Sequence, residues 1–334
     1  MRKNRAAYYG KKLLIFLISI FVLSIAVFYI SRIAPGDPLV SYYGERAEKM
    51  TPEEKDLARE KLGLNDAIYV QYIKWLKEAF KGNFGISFKY KQDVLSVISG
   101  RITNTLILGG IGFILLFALA LLLGIFCAWH EDRLPDRIVC QIGTATSCIP
   151  EFWLALVLIL VFAMMLRILP SSGAYTIGGG GIADRIEHLI LPVTVLIINH
   201  LWYYAYMIRN RLLEEVRENY VLLAKTKGLS KGKILFTHCL RNILPSFLSL
   251  MAISVPHIMG GTYVIETVFS YPGIGTLAYE SARYHDYNLL MVLCIFTGIV
   301  VIFFNILAQI INERIDPRMK AEEALESGGD TVSG

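Results

Sequence analysis

Glu151 stands directly after Pro150 inside an apolar run that carries no other charge, and an acid there pairs within a helix bundle, is protonated, or meets a cationic group. Asn199, His200, His257, Asn305 and Gln309 interrupt other apolar runs. Single polar groups of this kind either bond between helices or line a path for a polar solute. Catalysis has no comparable candidates. The six histidines (130, 188, 200, 238, 257 and 285) are scattered singly, with no H-E-x-x-H and no G-x-S-x-G pattern. The fragment Gly228-Leu229-Ser230-Lys231-Gly232-Lys233 has neither the spacing nor the following hydroxyl of a phosphate-binding loop, so no motif for ATP hydrolysis is present. The glycine run at 178–181 reads as a flexible turn. Five cysteines, an odd number without C-x-x-C spacing, read as small buried hydrophobes rather than as a disulfide or metal framework.

The elements that must position these groups are membrane spans. Across 334 residues the chain is 54% hydrophobic and only 18% charged, against about one quarter charged in soluble domains. With a mean hydropathy of +0.50, this excludes a nucleic-acid binder, a disordered scaffold and an ordinary cytosolic enzyme. Six runs are long enough for the roughly 20 residues that cross a bilayer core: residues 13–30, 105–129, 138–166, 189–208, 243–265 and 289–311. The first follows a basic start but has no small-residue cleavage site after it, so it reads as a retained anchor. With the N-terminus inside, short cytoplasmic segments hold 18 lysines and arginines and the two short external loops hold three. Basic residues collect on the cytoplasmic side, so the sequence predicts a multi-pass protein of the plasma or inner membrane with both termini in the cytoplasm.

Two connecting segments are predicted to fold. In the external segment, residues 31–101, Thr51-Pro52-Glu53-Glu54 supplies a cap, a proline at the first helical position and a glutamate at the third, and the pattern stops at Gly63. A second helix is predicted over 67–81 with Ile68, Tyr72, Trp75, Leu76 and Ala79 on one face, and the two helices can pack on each other. On the cytoplasmic side, residues 209–245 show Leu212, Leu213, Val216, Tyr220, Leu223 and Ala224 at helical spacing, a break at Gly228, and resumption near Lys231 up to Pro245. That segment is either a basic amphipathic helix lying on anionic lipid or a protruding knuckle that docks into a partner. The tail after residue 320 is acidic, ends in glycine and reads as disordered.

The stretch Tyr220-Val221-Leu222-Leu223-Ala224-Lys225-Thr226-Lys227-Gly228-Leu229-Ser230, continued by His238-Cys239-Leu240-Arg241-Asn242-Ile243-Leu244-Pro245, resembles the cytoplasmic EAA loop of ABC-importer permeases of the dipeptide, oligopeptide and nickel group. The resemblance extends through Ala34-Pro35-Gly36-Asp37-Pro38, Leu62-Gly63-Leu64, Gly82-Asn83-Phe84-Gly85-Ile86-Ser87, His188-Leu189-Ile190-Leu191-Pro192, Glu266-Thr267-Val268-Phe269-Ser270-Tyr271-Pro272-Gly273-Ile274-Gly275 and Asp316-Pro317-Arg318. Two features depart from the pattern. Leu222 and Leu223 occupy the Glu and Ala positions of the general EAA motif, which narrows the subgroup, and residues 102–105 lack the expected proline.

The resemblance implies an all-α permease of six transmembrane helices with the type I ABC importer fold and a small external helical insertion. Its implied organisation is an N-terminus and first helix (1–30), the external segment (31–101), a five-helix core (102–312) and a tail (313–334). The implied partners are a second homologous permease subunit, two ABC ATPase subunits and an extracytoplasmic binding protein, with the lipid bilayer around them and no nucleic acid. ATP and Mg belong to the partner subunits, and this chain binds no cofactor or metal and catalyses nothing itself. ATPase coupling falls to Tyr220, Ala224, Lys227, Gly228, Leu229, Ser230, Arg241, Asn242 and Pro245. The substrate path falls to Glu151, Asn199, His200, His257 and Asn305, and an external gate to Glu266, Phe269, Pro272, Gly273 and Gly275. The implied cargo is peptide, with nickel or another chelated metal as the alternative. A self-contained secondary transporter or channel is a remote third reading, which expects discontinuous charged helices and an inverted repeat.

Overall fold

A computed structural model describes residues 2–34, 38–44, 46–61 and 63–315. The motifs at 35–37, at Leu62 and at 316–318, and the tail expected to be disordered, lie outside the described residues. The chain divides into two compact units, one formed by Met1–Ile107, Ser172–Ala174 and Phe269–Phe303, the other by Leu108–Ser171, Tyr175–Val268 and Phe304–Gly334.

In the first unit, α1 (Arg2–Ile33) is the predicted first span. Leu13, Leu14, Leu17, Ile18, Phe21 and Val22 are exposed along it, as suits a lipid-facing helix. Short helices α2 (Pro38–Tyr43) and α3 (Arg46–Lys49) follow. Helix α4 (Pro52–Lys61) begins at the predicted capping box: the Thr51 N–H donates to Glu54 Oε2 at 2.8 Å and the Glu54 N–H donates to Thr51 Oγ1 at 3.3 Å. Helix α5 (Ile68–Ala79) ends before Gly82, whose φ is +85°.

The expected packing of α4 on α5 is replaced by two separate attachments. Ala58 of α4 is buried with Leu39 and Ala47 of α2 and α3. Tyr72, Trp75 and Leu76 of α5 pack on Phe28 of α1 and on Met291 and Ile295 further along the chain. Phe28 and Tyr72 meet edge to face at 5.3 Å, and the Ser24 and Tyr72 hydroxyls share a 2.8 Å hydrogen bond. Aromatic side chains bury more area on a long span than two short polar helices can offer each other, so each helix takes the larger apolar neighbour.

Helix α6 (Val94–Trp129) starts eleven residues before the predicted second span and runs straight through the positions where a proline was expected. At about 1.5 Å per residue, a helix of 36 residues outruns the roughly 30 Å hydrocarbon core. The predicted third span, 138–166, is corrected: it consists of α7 (Leu134–Ser147) and α8 (Glu151–Leu158), which continues as a π-helical stretch over Ile159–Met165, and the two halves meet at 97°. Pro150 has no N–H to give α7 and sits in extended conformation, with ψ at 136°. Before it, the hydroxyls of Thr144, Thr146 and Ser147 donate back to carbonyls one turn earlier, which weakens the helix end. Among the described residues, five helices are therefore long and apolar enough to cross a membrane, or six with the bent pair taken as one span.

In the second unit, α9 (Ile182–Val216) carries the fourth span well beyond its predicted end at residue 208. It packs against α7, α8 and the later helix α12. After α10 (Asn219–Thr226), the chain forms α11 (Lys231–Lys233), a π-helical stretch over Ile234–Cys239 and α12 (Leu240–Val268), passing through Pro245 and Pro256 without a break. Phe117 packs on Tyr204 with ring centres 4.8 Å apart, and on Phe247 at 5.8 Å. The last elements among the described residues are α13 (Ile274–Arg283), in the first unit, and α14 (Tyr287–Ile315), which begins in the first unit. All five cysteines are free thiols. Cys127 and Cys239 are buried as expected, Cys140 is half-buried, but Cys148, at the C-cap of α7, and Cys294 are exposed.

Candidate functional site

Three helices of the second unit converge on a cavity of about 860 Å³. Glu151 enters it from the first turn of α8, Asn199, His200, Tyr203 and Tyr204 from one face of α9, and Ser254, His257 and Gly261 from one face of α12. The three- and four-residue spacings within each set put their side chains on one stripe of their helix. Four of the five path residues read from the sequence thus come together. Asn305 does not: it is exposed on α14 and lines no part of this cavity.

The polar wall is tight. His200 is 8% exposed, its ring lies 5.0 Å from that of His257 in an edge-to-face arrangement, and its Nε2 has no hydrogen-bond partner. Glu151 Oε1 is likewise buried without a partner. A Cβ on Gly261 would stand 2.9 Å from His200 Nε2 and 3.1 Å from Glu151 Oε1, so the missing side chain is what lets both groups reach the same place. Tyr203, Tyr204, Ser254 and Gly261 were missed from the sequence. The available signal was position: Tyr203 and Tyr204 lie three and four residues after His200, and Ser254 lies three before His257.

The coupling residues form a second cluster in the same unit. Helix α10 closes with Gly228 at φ +77°, where the Gly228 N–H donates to the Lys225 carbonyl and the Leu229 N–H to the Ala224 carbonyl. This is a Schellman closure, which a glycine with free access to positive φ favours. One residue on, Ser230 Oγ accepts from the Lys233 N–H and starts the next helix. The sequence Thr226-Lys227-Gly228-Leu229-Ser230 therefore encodes a helix stop and a helix start back to back.

The single amphipathic helix expected from Leu212 to Ala224 is corrected, because the chain interrupts it at Arg217 and Glu218. In consequence Val221 and Ala224 face inward, while Leu222 and Leu223 are 63% and 56% exposed. The knuckle is held at its base by Glu215, which accepts from the Tyr220 hydroxyl at 2.6 Å and from Asn242 Nδ2 at 2.9 Å. Burial, with the Glu215 carboxylate and Cys239 beside it, pushes the Tyr220 hydroxyl above the ordinary phenol range. Lys231 Nζ donates to the Trp129 carbonyl at 2.5 Å and lies over its ring. Lys227, Gly228, Ser230 and Arg241 are exposed, and Leu229 and Pro245 are half-buried.

The residues assigned to an outer gate divide between the two units. Glu266 is fully buried near the end of α12, in the second unit. Phe269, Pro272, Gly273 and Gly275 belong to the first unit, where Phe269 and Tyr271 are buried. Asn104 Nδ2 donates to the Pro272 carbonyl at 2.8 Å, and Thr105 Oγ1 accepts from the Ile274 N–H at 2.8 Å. This loop is a packed turn pinned by α6 rather than an open one.

Comparisons with known proteins bear on the chain as a whole. Residues 120–321 match the family described as binding-protein-dependent transport system inner membrane component, and residues 8–109 match the corresponding N-terminal membrane component. The oligopeptide transport system permease protein AppB of Bacillus subtilis is 32% identical over 317 residues, which cover 94% of this chain and 99% of AppB. OppB of Haemophilus influenzae, also an oligopeptide transport system permease protein, is 34% identical over 311 residues, 93% of this chain and 98% of its own. The metal-staphylopine import system permease protein CntB of Staphylococcus aureus is 32% identical over 302 residues, with 90% and 94% covered. Among solved structures, inward-facing conformations of the MetNI methionine ABC transporter share the fold with a TM-score of 0.55 at 15% identity, over 66% of this chain and 97% of that one.

Proposed function

Because the chain belongs to the family of binding-protein-dependent transport system inner membrane components, we propose that it is the permease subunit of an ATP-driven importer that takes peptides across the cell membrane. The observation that carries the reading is near full-length similarity to permeases named for oligopeptide transport. In this reading a binding protein outside the cell delivers cargo, a second homologous permease completes the path, and two ATPase subunits consume ATP and Mg in the cytoplasm, where both termini of this chain lie.

The knuckle at 219–231 is the part suited to couple them. Exposed Leu222 and Leu223 offer an apolar docking face beside the rigid Gly228 turn. The turn sits between α9 and the continuous helix that runs into α12, so a displacement of the knuckle moves two spans as rigid bodies. Cargo crosses at the cavity between α8, α9 and α12, and the pinned loop at 269–275 serves as the outer gate.

Chelated metal is the second reading of the cargo, favoured by the similarity to CntB. The broken third span with Glu151 at its joint is a feature that a self-contained transporter would also have. Gentle-detergent purification from the native cell, with mass spectrometry of what accompanies the chain, tests the assignment. A second permease, ATPase subunits and a peptide-loaded binding protein are expected. Solute movement by this chain alone without ATP would overturn it.

A further inference from the structure

We propose that the Glu151, His200 and Gly261 wall of the cavity is a recognition site for the primary ammonium group of the cargo. This rests on the reading of the chain as a peptide permease. The cavity has one carboxylate, two imidazoles and two tyrosine rings, and no lysine or arginine lines it. It therefore offers a cation one carboxyl group and aromatic faces, and offers an anion no fixed positive charge.

The carboxylate also has a vacant bonding position. Glu151 Oε1 is out of contact with water and accepts no hydrogen bond, and His200 Nε2 beside it is equally unpaired. A buried carboxyl without a partner is costly to keep ionised, and an arriving ammonium, with three donors, satisfies the carboxylate oxygen and an unprotonated imidazole nitrogen at once. Gly261 supplies the room, since a Cβ there would lie 2.9 to 3.4 Å from Nε2 and both carboxylate oxygens. These groups do not constitute a metal site: among the described residues, no three His, Cys, Asp or Glu side chains converge as ligands. Peptides share one cationic group whatever their side chains, the α-ammonium, with an ordinary pKa of about 7.7–8.0. A site that reads only this group discriminates peptides from anions and sugars while tolerating any sequence.

The complete importer, with its binding protein, is reconstituted in liposomes, and ATP-dependent uptake is measured for a free-amine tripeptide and its N-acetyl form. Each rate with Glu151→Gln is divided by the wild-type rate for the same peptide, so that the binding protein's own preference cancels. A loss of tenfold or more for the free amine and less than twofold for the acetylated peptide is expected. Equal losses for both, or none for either, overturn the proposal. Where the wild type carries the free-amine form alone, Glu151→Asp decides: recovery of uptake supports the ammonium contact, and an Asp variant as slow as Gln overturns it. A wild type that carries neither peptide removes the peptide reading itself, a different failure. Monodisperse purification of each variant separates these results from misfolding.

Discussion

Gly228 and Gly261 are each constrained by what a side chain would do there. At φ +77°, a β-branched residue at 228 would strain the turn by about 1–2 kcal/mol. Gly228→Val should therefore leave the protein inserted and purifiable while abolishing cargo-stimulated ATP hydrolysis in the reconstituted complex, and unimpaired stimulation would remove the knuckle from the coupling route. At 261 the obstacle is steric. Gly261→Ala places a methyl within about 3 Å of His200 and Glu151, displacing both from the cavity wall. Uptake should fall at least as far as it does in Glu151→Gln, whereas Gly260→Ala, one residue away with open space around it, should have little effect.

Elements are fixed to one another by a few polar contacts at their ends. Asp136 near the start of α7 holds Arg209 of α9 through Nε at 2.7 Å and Nη2 at 2.5 Å, with the carboxylate 2% exposed. Neutralising one partner of such a pair strands the other, so Asp136→Asn should cost about 3 kcal/mol and lower the melting temperature in lipid nanodiscs. In the first unit, Asp286 accepts from the Ser87 hydroxyl at 2.5 Å and from the Lys89 N–H at 3.0 Å, while Glu280 accepts from Lys89 Nζ and the Tyr90 hydroxyl. Burial pushes Glu280 up, but those two hydrogen bonds hold it below the usual carboxylate range. A carboxylate depressed in the folded state stabilises above its unfolded pKa of about 4.3 and loses that contribution as pH falls through its folded value. Protease cleavage within 83–93 should accordingly rise once the pH drops below about 4, and Glu280→Gln should make it insensitive to pH in that window.

For the whole molecule, the asymmetry of basic residues predicts an arrangement across the membrane, and that prediction has a direct test. In a cysteine-free background, Tyr69→Cys should react with a membrane-impermeant maleimide added to intact cells, because Tyr69 is exposed on helix α5, which this arrangement puts outside. Lys227→Cys, exposed at the knuckle, should react only after permeabilisation. Reversed labelling would invert the orientation and take the knuckle away from cytoplasmic ATPases.

The one-dimensional pattern determined whatever depends on neighbours along the chain. Apolar length set the spans, Thr51 with Glu54 set a helix start, and Gly228 followed by Ser230 set a stop and a start, because capping bonds close within a few residues. Tertiary structure alone decided what several helices contest together. Pro150 breaks its span while Pro192, Pro245 and Pro256 are absorbed inside helices, and packing around each proline makes that choice. Leu212 to Ala224 carries a helical pattern that extends across the interruption at Arg217 and Glu218, so the outward turn of Leu222 and Leu223 was not legible in it. Glu151, His200 and His257 were legible as isolated polar intrusions. Their meeting over Gly261 was not, since it depends on the close approach of α8, α9 and α12, which no spacing within a single helix encodes.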